Sequence, residues 1–330
     1  MAAVIATLET RTPWAVLTGT RVQLYLRAAV GAGILVAIGI EVGAEPFLRG
    51  FASVSTSPTA ILAALALGAI ATLSASWRWR TLAGRLGLPL GTGESVAAYY
   101  RSQFLNSVLP GGVVGDVHRA VLHGRRVSHL PQASRAVVAE RAAGQTVQLA
   151  FAAVLLVLLG MSAYAPAVGI VLVAVAVACA GLAVAAAVSL RVRAAIAYEL
   201  ATVRLAFGSL RTVGSVIVAS TLVIAGHVAT FIVACLAVGV EASPGRLVAI
   251  ALIAVIAGSI PLNIGGWGPR EGAAAWAFAT AGLGAATGIA ASTAFGVLAL
   301  IAVAPGAAVV AASALRRRRI LEEAEQEVSP

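Results

Sequence analysis

Apolar residues run along this chain in long blocks, and polar residues are confined to the gaps between them. Six uninterrupted blocks approach the roughly 20 residues that a helix needs to cross a bilayer core: residues 24–43, 58–77, 136–160, 166–189, 213–239 and 288–314. Arginine fills some gaps and avoids others. It clusters at 11–27, 78–85, 119–135, 191–211 and 316–319, whereas 44–57, 161–165, 241–246 and 283–287 carry at most one each. Positive charge accumulates in cytoplasmic loops, so the Arg-rich gaps and both termini are expected in the cytoplasm.

Two apolar segments, 93–117 and 247–283, do not fit as plain spans. The first begins and ends on Arg-rich sides, the second on Arg-poor sides. Each is interrupted by helix breakers: Leu109-Pro110-Gly111-Gly112 with Gly115 in one, Pro261 with Gly265-Gly266, Gly268 and Pro269 in the other. Each reads as a re-entrant helical hairpin, one dipping in from each side of the membrane. The order span, span, hairpin, span then recurs with opposite orientation. The expected fold is therefore an all-α membrane protein: six full spans plus two re-entrant helical hairpins in an inverted repeat. Residues 1–23 form a cytoplasmic N-terminal segment, 24–315 the membrane domain with halves at about 24–160 and 166–314, and 316–330 a cytoplasmic tail. Ser107–Asp116 resembles Ser259–Gly268 locally, which supports a repeat. The alternative is that Gly and Pro merely kink ordinary spans, where both are common.

Composition agrees with lipid as the solvent. The 330 residues are 60% hydrophobic and 11% charged, with a mean hydropathy of +0.96. A net charge of +10 does not indicate nucleic acid here, because the arginines lie in short clusters beside apolar blocks, where anionic lipid is the neighbour. All 23 basic residues are Arg, which points to codon bias more than to guanidinium chemistry. Cys179 and Cys235 sit inside apolar blocks and read as small buried hydrophobes. Arg11, Pro13 and Arg21 precede the first block without a small-x-small cleavage site, so that block is expected to be retained.

Ionisable groups inside a bilayer cost on the order of 3 kcal/mol each and need a partner or a cavity. Asp116, the single Asp of the chain, precedes Arg119, His123 and Arg126 at helical spacing, which is either a buried polar stripe or the solvated face of an interfacial helix. Glu140 and Arg141 open a block, and Arg141, Gln145 and Gln148 carry a polar stripe about two turns into it. Arg270 and Glu271 begin a half-helix directly after Gly268-Pro269, where an acid suits the positive end of the helix dipole. Arg101, Gln103 and Asn106 approach the first tip and could contact a phosphate or cap the hairpin. His227 reads as a satisfied core histidine. Trp77, Trp79, Tyr99 and Tyr100 are placed for an interfacial aromatic belt.

Three of these motifs, in order, resemble a known family. Asn106-Ser107-Val108-Leu109-Pro110-Gly111-Gly112 with Gly115-Asp116 and Arg119, then Glu140-Arg141, then Gly265-Gly266-Trp267-Gly268-Pro269-Arg270-Glu271-Gly272 are similar to the transmembrane domain of lysylphosphatidylglycerol synthases and their stand-alone flippase-like relatives, over roughly residues 20–315. Val113-Val114 stand where the family pattern suggests another Gly. The resemblance implies a plasma-membrane protein that moves an anionic phospholipid or a polyprenyl-phosphate-type head group between leaflets. The substrate-facing set it suggests is Arg101, Asn106, Gly111, Gly112, Asp116, Arg119, Glu140, Arg141, Gln145, Asn263, Gly265, Gly266, Arg270 and Glu271. Arg119, Arg141 and Arg270 would meet phosphate, and Asp116, Glu140 and Glu271 would act as counter-charges or proton carriers.

No soluble aminoacyl-transferase domain accompanies the membrane region, so lysyl-lipid synthesis is not expected of these residues. No GxxxxGK[ST] loop is present, and no cofactor or metal is expected. The alternatives are a membrane-embedded lipid-linked glycosyltransferase, which needs clustered carboxylates, and a non-catalytic partner of a separate cell-envelope or lipid-modifying enzyme. One Asp in the chain excludes two-aspartate proteases and Asp-rich phosphatidyltransferases; Glu140 with Glu271 leaves the enzyme reading open.

Overall fold

Helix starts along the chain coincide with residues suited to them. Ser57 accepts from the Ala60 N–H at the head of Pro58–Arg85, with Pro58 in the first turn, and Ser209 accepts from Thr212 at the head of Leu210–Ala237. Both side chains satisfy N–H groups that a first helical turn leaves without partners. The computed structural model describes residues 29–328 apart from 110–111, 159, most of 161–186 and 261–265. In chain order the helices are α1 (Ala29–Val42) and α2 (Glu45–Ser55), α3 (Pro58–Arg85), α4 (Thr92–Val108), α5 (Val114–Arg126) and α6 (Leu130–Leu158). They continue with α7 (Leu190–Phe207), α8 (Leu210–Ala237), α9 (Pro244–Gly258), α10 (Pro269–Thr280), α11 (Ala285–Val303) and α12 (Pro305–Val328).

The described part of the chain is an all-helical membrane protein. Among the described residues, three continuous helical stretches are long and apolar enough to cross a bilayer: α3, α8 and the run Ala285–Arg316 that joins α11 to α12. At 28 residues each, α3 and α8 extend about 42 Å, well beyond the roughly 30 Å hydrocarbon core. They pack along each other, and α8 also lies against α11. Small residues permit this: a Cβ on Gly226 of α8 would stand 3.2 Å from both Ala71 Cβ and Leu67 O of α3. Close backbone approach replaces the hydrophobic drive that helices lack in lipid. The main core is alanine-rich, with Phe231, Phe278, Leu252 and Leu298 filling it.

Both segments predicted to break do so. α4 stops at Val108 and α5 starts at Val114, while α9 stops at Gly258 and α10 starts at Pro269; α4 packs on α5, and α9 on α10.

Several expectations need correction. The first apolar block is followed by helix rather than loop: α1 ends at Val42, just before Gly43, whose φ is +80°, and α2 departs at 101° to it. Residues 78–85 continue α3 instead of forming a gap between helices, and most of 191–211 is helix α7. The block at 136–160 begins six residues earlier, at Leu130 of α6. Most of the block at 166–189, together with Cys179, Pro110, Gly111, Pro261, Asn263 and Gly265, lies outside the described residues.

Candidate functional site

The first break is held together by the close approach of Gly115 and by two polar side chains, Ser102 and Asn106. Gly115 lies directly on the Ser102 carbonyl of α4, leaving no room for a Cβ. Asn106 accepts from the Gly115 N–H at 2.7 Å and donates to Asp116 Oδ2 at 3.2 Å. Ser102 donates to Asp116 Oδ1, also at 3.2 Å. Asp116 is thereby fixed at the first turn of α5, where a negative charge suits the helix dipole. Its two oxygens face two arginines: Arg119 at 3.0 Å on its own helix, and Arg141 on α6.

Glu140 is the hub behind this pair. Its side chain is wholly buried. Oε1 accepts from Arg78 Nε at 2.9 Å, from Arg78 Nη2 and from the Tyr99 hydroxyl at 3.0 Å, and Oε2 accepts from Arg119 Nη2 at 2.6 Å. Arg78 also donates to Ser220 of α8 at 2.8 Å. The Arg119 guanidinium is sandwiched by the rings of Trp79 and Tyr99, 4.8 and 4.5 Å from their centroids. Such stacking on desolvated rings is favourable by up to about 2 kcal/mol. One carboxylate thus ties α3, α4, α5 and α6 together.

The second break carries a smaller, self-contained pair. Gly268 caps α10 at φ +108°, a conformation open to glycine, and donates its N–H to Glu271 Oε2 at 2.7 Å. Glu271 Oε1 accepts from Arg270 and from Ser292 of α11 at 3.0 Å. Arg270 stacks on Trp267 and Phe295, 4.9 and 5.1 Å from their ring centres.

Between these two clusters lies a cavity of about 810 Å³, within the range of ligand sites. Asn106, Gly112 and Asp116 line it from the first break, and Gly266 and Arg270 from the second. Arg141, Gln145 and Gln148 line it from α6, as their helical spacing implied, and His227 from α8. Gln148 Nε2 is buried with no hydrogen-bond partner among the described residues, while His227 Nδ1 lies 2.8 Å from the Val223 carbonyl.

The remaining predicted residues sit elsewhere. Arg119, Glu140 and Glu271 stand behind the wall, engaged with other side chains. Arg101 is outside the lining, and its Nε is buried without a hydrogen-bond partner among the described residues. Gly111, Asn263 and Gly265 fall outside the described residues. The face Asp116–Arg119–His123 is buried, which removes the solvated-helix alternative; only Arg126 reaches the surface, beside Glu94. Val113 precedes the first turn of α5 and lines the cavity, so the extra bulk at this tip leaves the helix start intact.

Sequence reasoning missed Arg78, because an Arg-rich stretch reads as a loop, and it missed Ser220. It also misplaced Trp79 and Tyr99: both are buried against Arg119, whereas Trp77 stays exposed. A signal for Arg78 was available. Ser57-Pro58 marks where α3 begins, so Arg78 falls in its sixth turn, a full two turns before Arg85.

Comparison with known proteins bears on the whole domain. A family model described as "Lysylphosphatidylglycerol synthase TM region" matches residues 24–306. No curated protein and no solved structure matches the chain.

Proposed function

The chain belongs to the lysylphosphatidylglycerol synthase TM region family, and from the cavity between its two broken segments we propose that it moves a lipid head group between membrane leaflets. The observation that carries this reading is convergence: residues beside both breaks, far apart in sequence, line one cavity inside an apolar bundle and bring charged and amide side chains into it. Irregular backbone at membrane depth is tolerated where it lines a watery cavity, and broken helices meeting at such a site characterise secondary transporters. In this reading 93–117 and 247–283 are hairpins of opposite orientation in an inverted repeat with six full spans. Both termini face the cytoplasm, and the membrane is the plasma membrane. Arg141 and Arg270 meet the phosphate, with Asn106, Gln145 and Gln148 as polar neighbours. One half rocks against the other, driven by a gradient or by downhill flow.

The enzyme alternative needs a carboxylate free to act as base or metal ligand. Glu140 and Glu271 have both oxygens occupied by arginine, tyrosine, serine or backbone donors, which favours translocation. A non-catalytic scaffold would not require charged and amide side chains around an internal cavity.

The test is leaflet exchange of a fluorescent phosphatidylglycerol in reconstituted vesicles, read by dithionite quenching. Wild type should exchange the lipid, and Arg141→Ala and Arg270→Ala should each lose most of that rate while eluting as folded monodisperse protein. Exchange unchanged in both variants would sink the site assignment. A wild type that exchanges no lipid would sink the transport reading.

A further inference from the structure

Two ionisable side chains beside the first break belong neither to the cavity nor to the network behind it. Arg101 of α4 and His118 of α5 are both outside the lining. Each is partly buried, and Arg101 Nε and His118 Nδ1 are enclosed with no hydrogen-bond partner among the described residues. Their remaining nitrogens are not enclosed in this way. Helix pairing brings the two residues to one level. Asn106 meets Gly115, Ser102 meets Asp116, and the Tyr99 ring covers Arg119, so α4 and α5 run antiparallel. Arg101 falls between Tyr99 and Ser102, and His118 between Asp116 and Arg119. The charge of Arg101 acts on His118, as it does between near neighbours.

No acid of the described residues answers this pair. Asp116 is taken by Arg119, Arg141, Ser102 and Asn106, and Glu140 by Arg78, Arg119 and Tyr99. Glu94, about 10 Å from Arg101 along α4, pairs with Arg126 at the exposed end of the two helices. Glu199 and Glu271 pair with Arg135 and Arg270. The last helix packs on α4 with Gly306 against Tyr100 and Phe104. Residues 305–315 carry no charge, and the first acid of that helix, Glu322, stands about 24 Å farther along it. An unpaired cation beside an apolar bundle is costly unless a ligand or water meets it.

We infer that Arg101 and His118 hold the phosphate of a membrane phospholipid seated against the outer face of α4 and α5, at a site separate from the cavity. The guanidinium presents several N–H donors and the imidazole one, which suits phosphate oxygens. The flanks of the site select a lipid over a free anion. Val108, about two turns past Arg101 on the same face of α4, is 46% exposed, and Leu122, one turn past His118 on α5, is 41% exposed. Acyl chains lie along these apolar flanks while the phosphate bridges the helices. Asn106 and Asp116 tie α4 to α5 from within, and the lipid staples the same two helices from outside. The site stands whether or not the cavity moves a lipid.

The experiment is thermal unfolding of delipidated, detergent-solubilised protein, followed by tryptophan fluorescence. The probes are phosphatidylglycerol, diacylglycerol with the same acyl chains, and inorganic phosphate. Phosphatidylglycerol should raise Tm by at least about 3 °C, and the other two by less than about 1 °C. The same rise should appear in Arg141→Gln protein, whose cavity has lost its accessible arginine. Arg101→Gln and His118→Ala, each made in wild type and in Arg141→Gln, should cut the rise, and in the second background remove most of it; Arg101→Lys should keep it. Equal rises with phosphatidylglycerol and diacylglycerol would overturn the phosphate assignment, and a full rise with inorganic phosphate would overturn the lipid assignment. A rise lost in Arg141→Gln alone would move the phosphate into the cavity and overturn the separate site. A rise untouched by Arg101→Gln and His118→Ala in both backgrounds would overturn it as well. Leaflet exchange is not read, so an Arg101-dependent rise in a protein that exchanges no lipid would uphold this site and refute the transport reading alone.

Discussion

Replacing Glu140 by Gln removes one negative charge and leaves two buried arginines facing each other across an amide. Arg78 would keep the Ser220 hydroxyl as its partner, and Arg119 would keep Asp116, which Arg141 already shares. Breaking a buried ion pair by removing one member costs about 3–5 kcal/mol. Because a single carboxylate serves both arginines here, the upper part of that range is expected, about 4–5 kcal/mol. That is a large fraction of the roughly 5–15 kcal/mol that keeps a typical domain folded. The measurement is reversible unfolding by SDS titration in mixed micelles, followed by tryptophan fluorescence. Glu199→Gln supplies the contrast, since the Arg135–Glu199 pair at 2.9 Å is partly exposed and such pairs contribute no more than about 1 kcal/mol. Adding Arg78→Gln to Glu140→Gln removes one of the unanswered charges, so the double variant should be more stable than the sum of the single losses by about 1–3 kcal/mol. Equal small losses for Glu140→Gln and Glu199→Gln, or strict additivity in the double variant, would refute the account of Glu140 as the hub.

Three further outcomes follow from the same geometry. Tyr99→Phe deletes the hydroxyl that donates to Glu140 but keeps the ring over Arg119; the same titration should show a loss of about 1.5–3 kcal/mol, clearly less than Glu140→Gln. Gly115→Ala places a methyl in the Ser102 backbone, which neither α4 nor α5 can yield by a side-chain rotation, and the protein should fail to elute as a monodisperse species from size exclusion. Gly144→Ala sets a Cβ 2.9 Å from the Arg78 guanidinium, which Glu140 and Ser220 hold in place; a loss of about 1–3 kcal/mol is expected, and Arg78→Met in the same background should relieve part of it.

Sequence reasoning picked out residues that line the cavity better than it placed the helices around them. Asp116, Arg141, Gln145, Arg270 and their neighbours stand out because a polar side chain in an apolar block is costly, and cost marks position whatever the surrounding helix does. The breaks at 109–113 and 259–268 were legible from Pro and Gly for the same local reason. Arg78 was not, since counting arginines assigns a stretch to a loop as a whole and cannot see that one member of the cluster lies two turns inside the helix. Trp79 and Tyr99 failed in a related way. Aromatic residues near the end of an apolar block suit a headgroup belt and a cation sandwich equally well, and the choice between them rests on Arg119, which is distant in sequence. The 101° turn between α1 and α2 depends on Gly43 and on packing of α2 against α11, a contact no local pattern encodes.

The two breaks are also unequal in a way that bears on how the cavity could work. At the second, Arg270 and Glu271 neutralise each other within α10, and Ser292 and Phe295 of α11 hold the pair. Charge and support there come from adjoining helices of one half of the chain. At the first, Arg141 on α6 reaches across to Asp116 on α5, and the counter-charges behind it come from α3, α5 and α6 with Tyr99 of α4. Under the proposed function, a phosphate entering the cavity would compete with Asp116 for Arg141 but would meet at Arg270 a cation whose own acid is locked to the Gly268 N–H. Arg141 can therefore change partner while Arg270 keeps its partner. If one side of the cavity moves during transport, the Asp116–Arg141 contact is where substrate binding and helix movement are coupled. Cross-linking cysteines placed at Val117 and Val138, both cavity-lining residues on α5 and α6, should then slow lipid exchange without weakening phosphatidylglycerol binding. Exchange at the uncross-linked rate would place the moving boundary elsewhere.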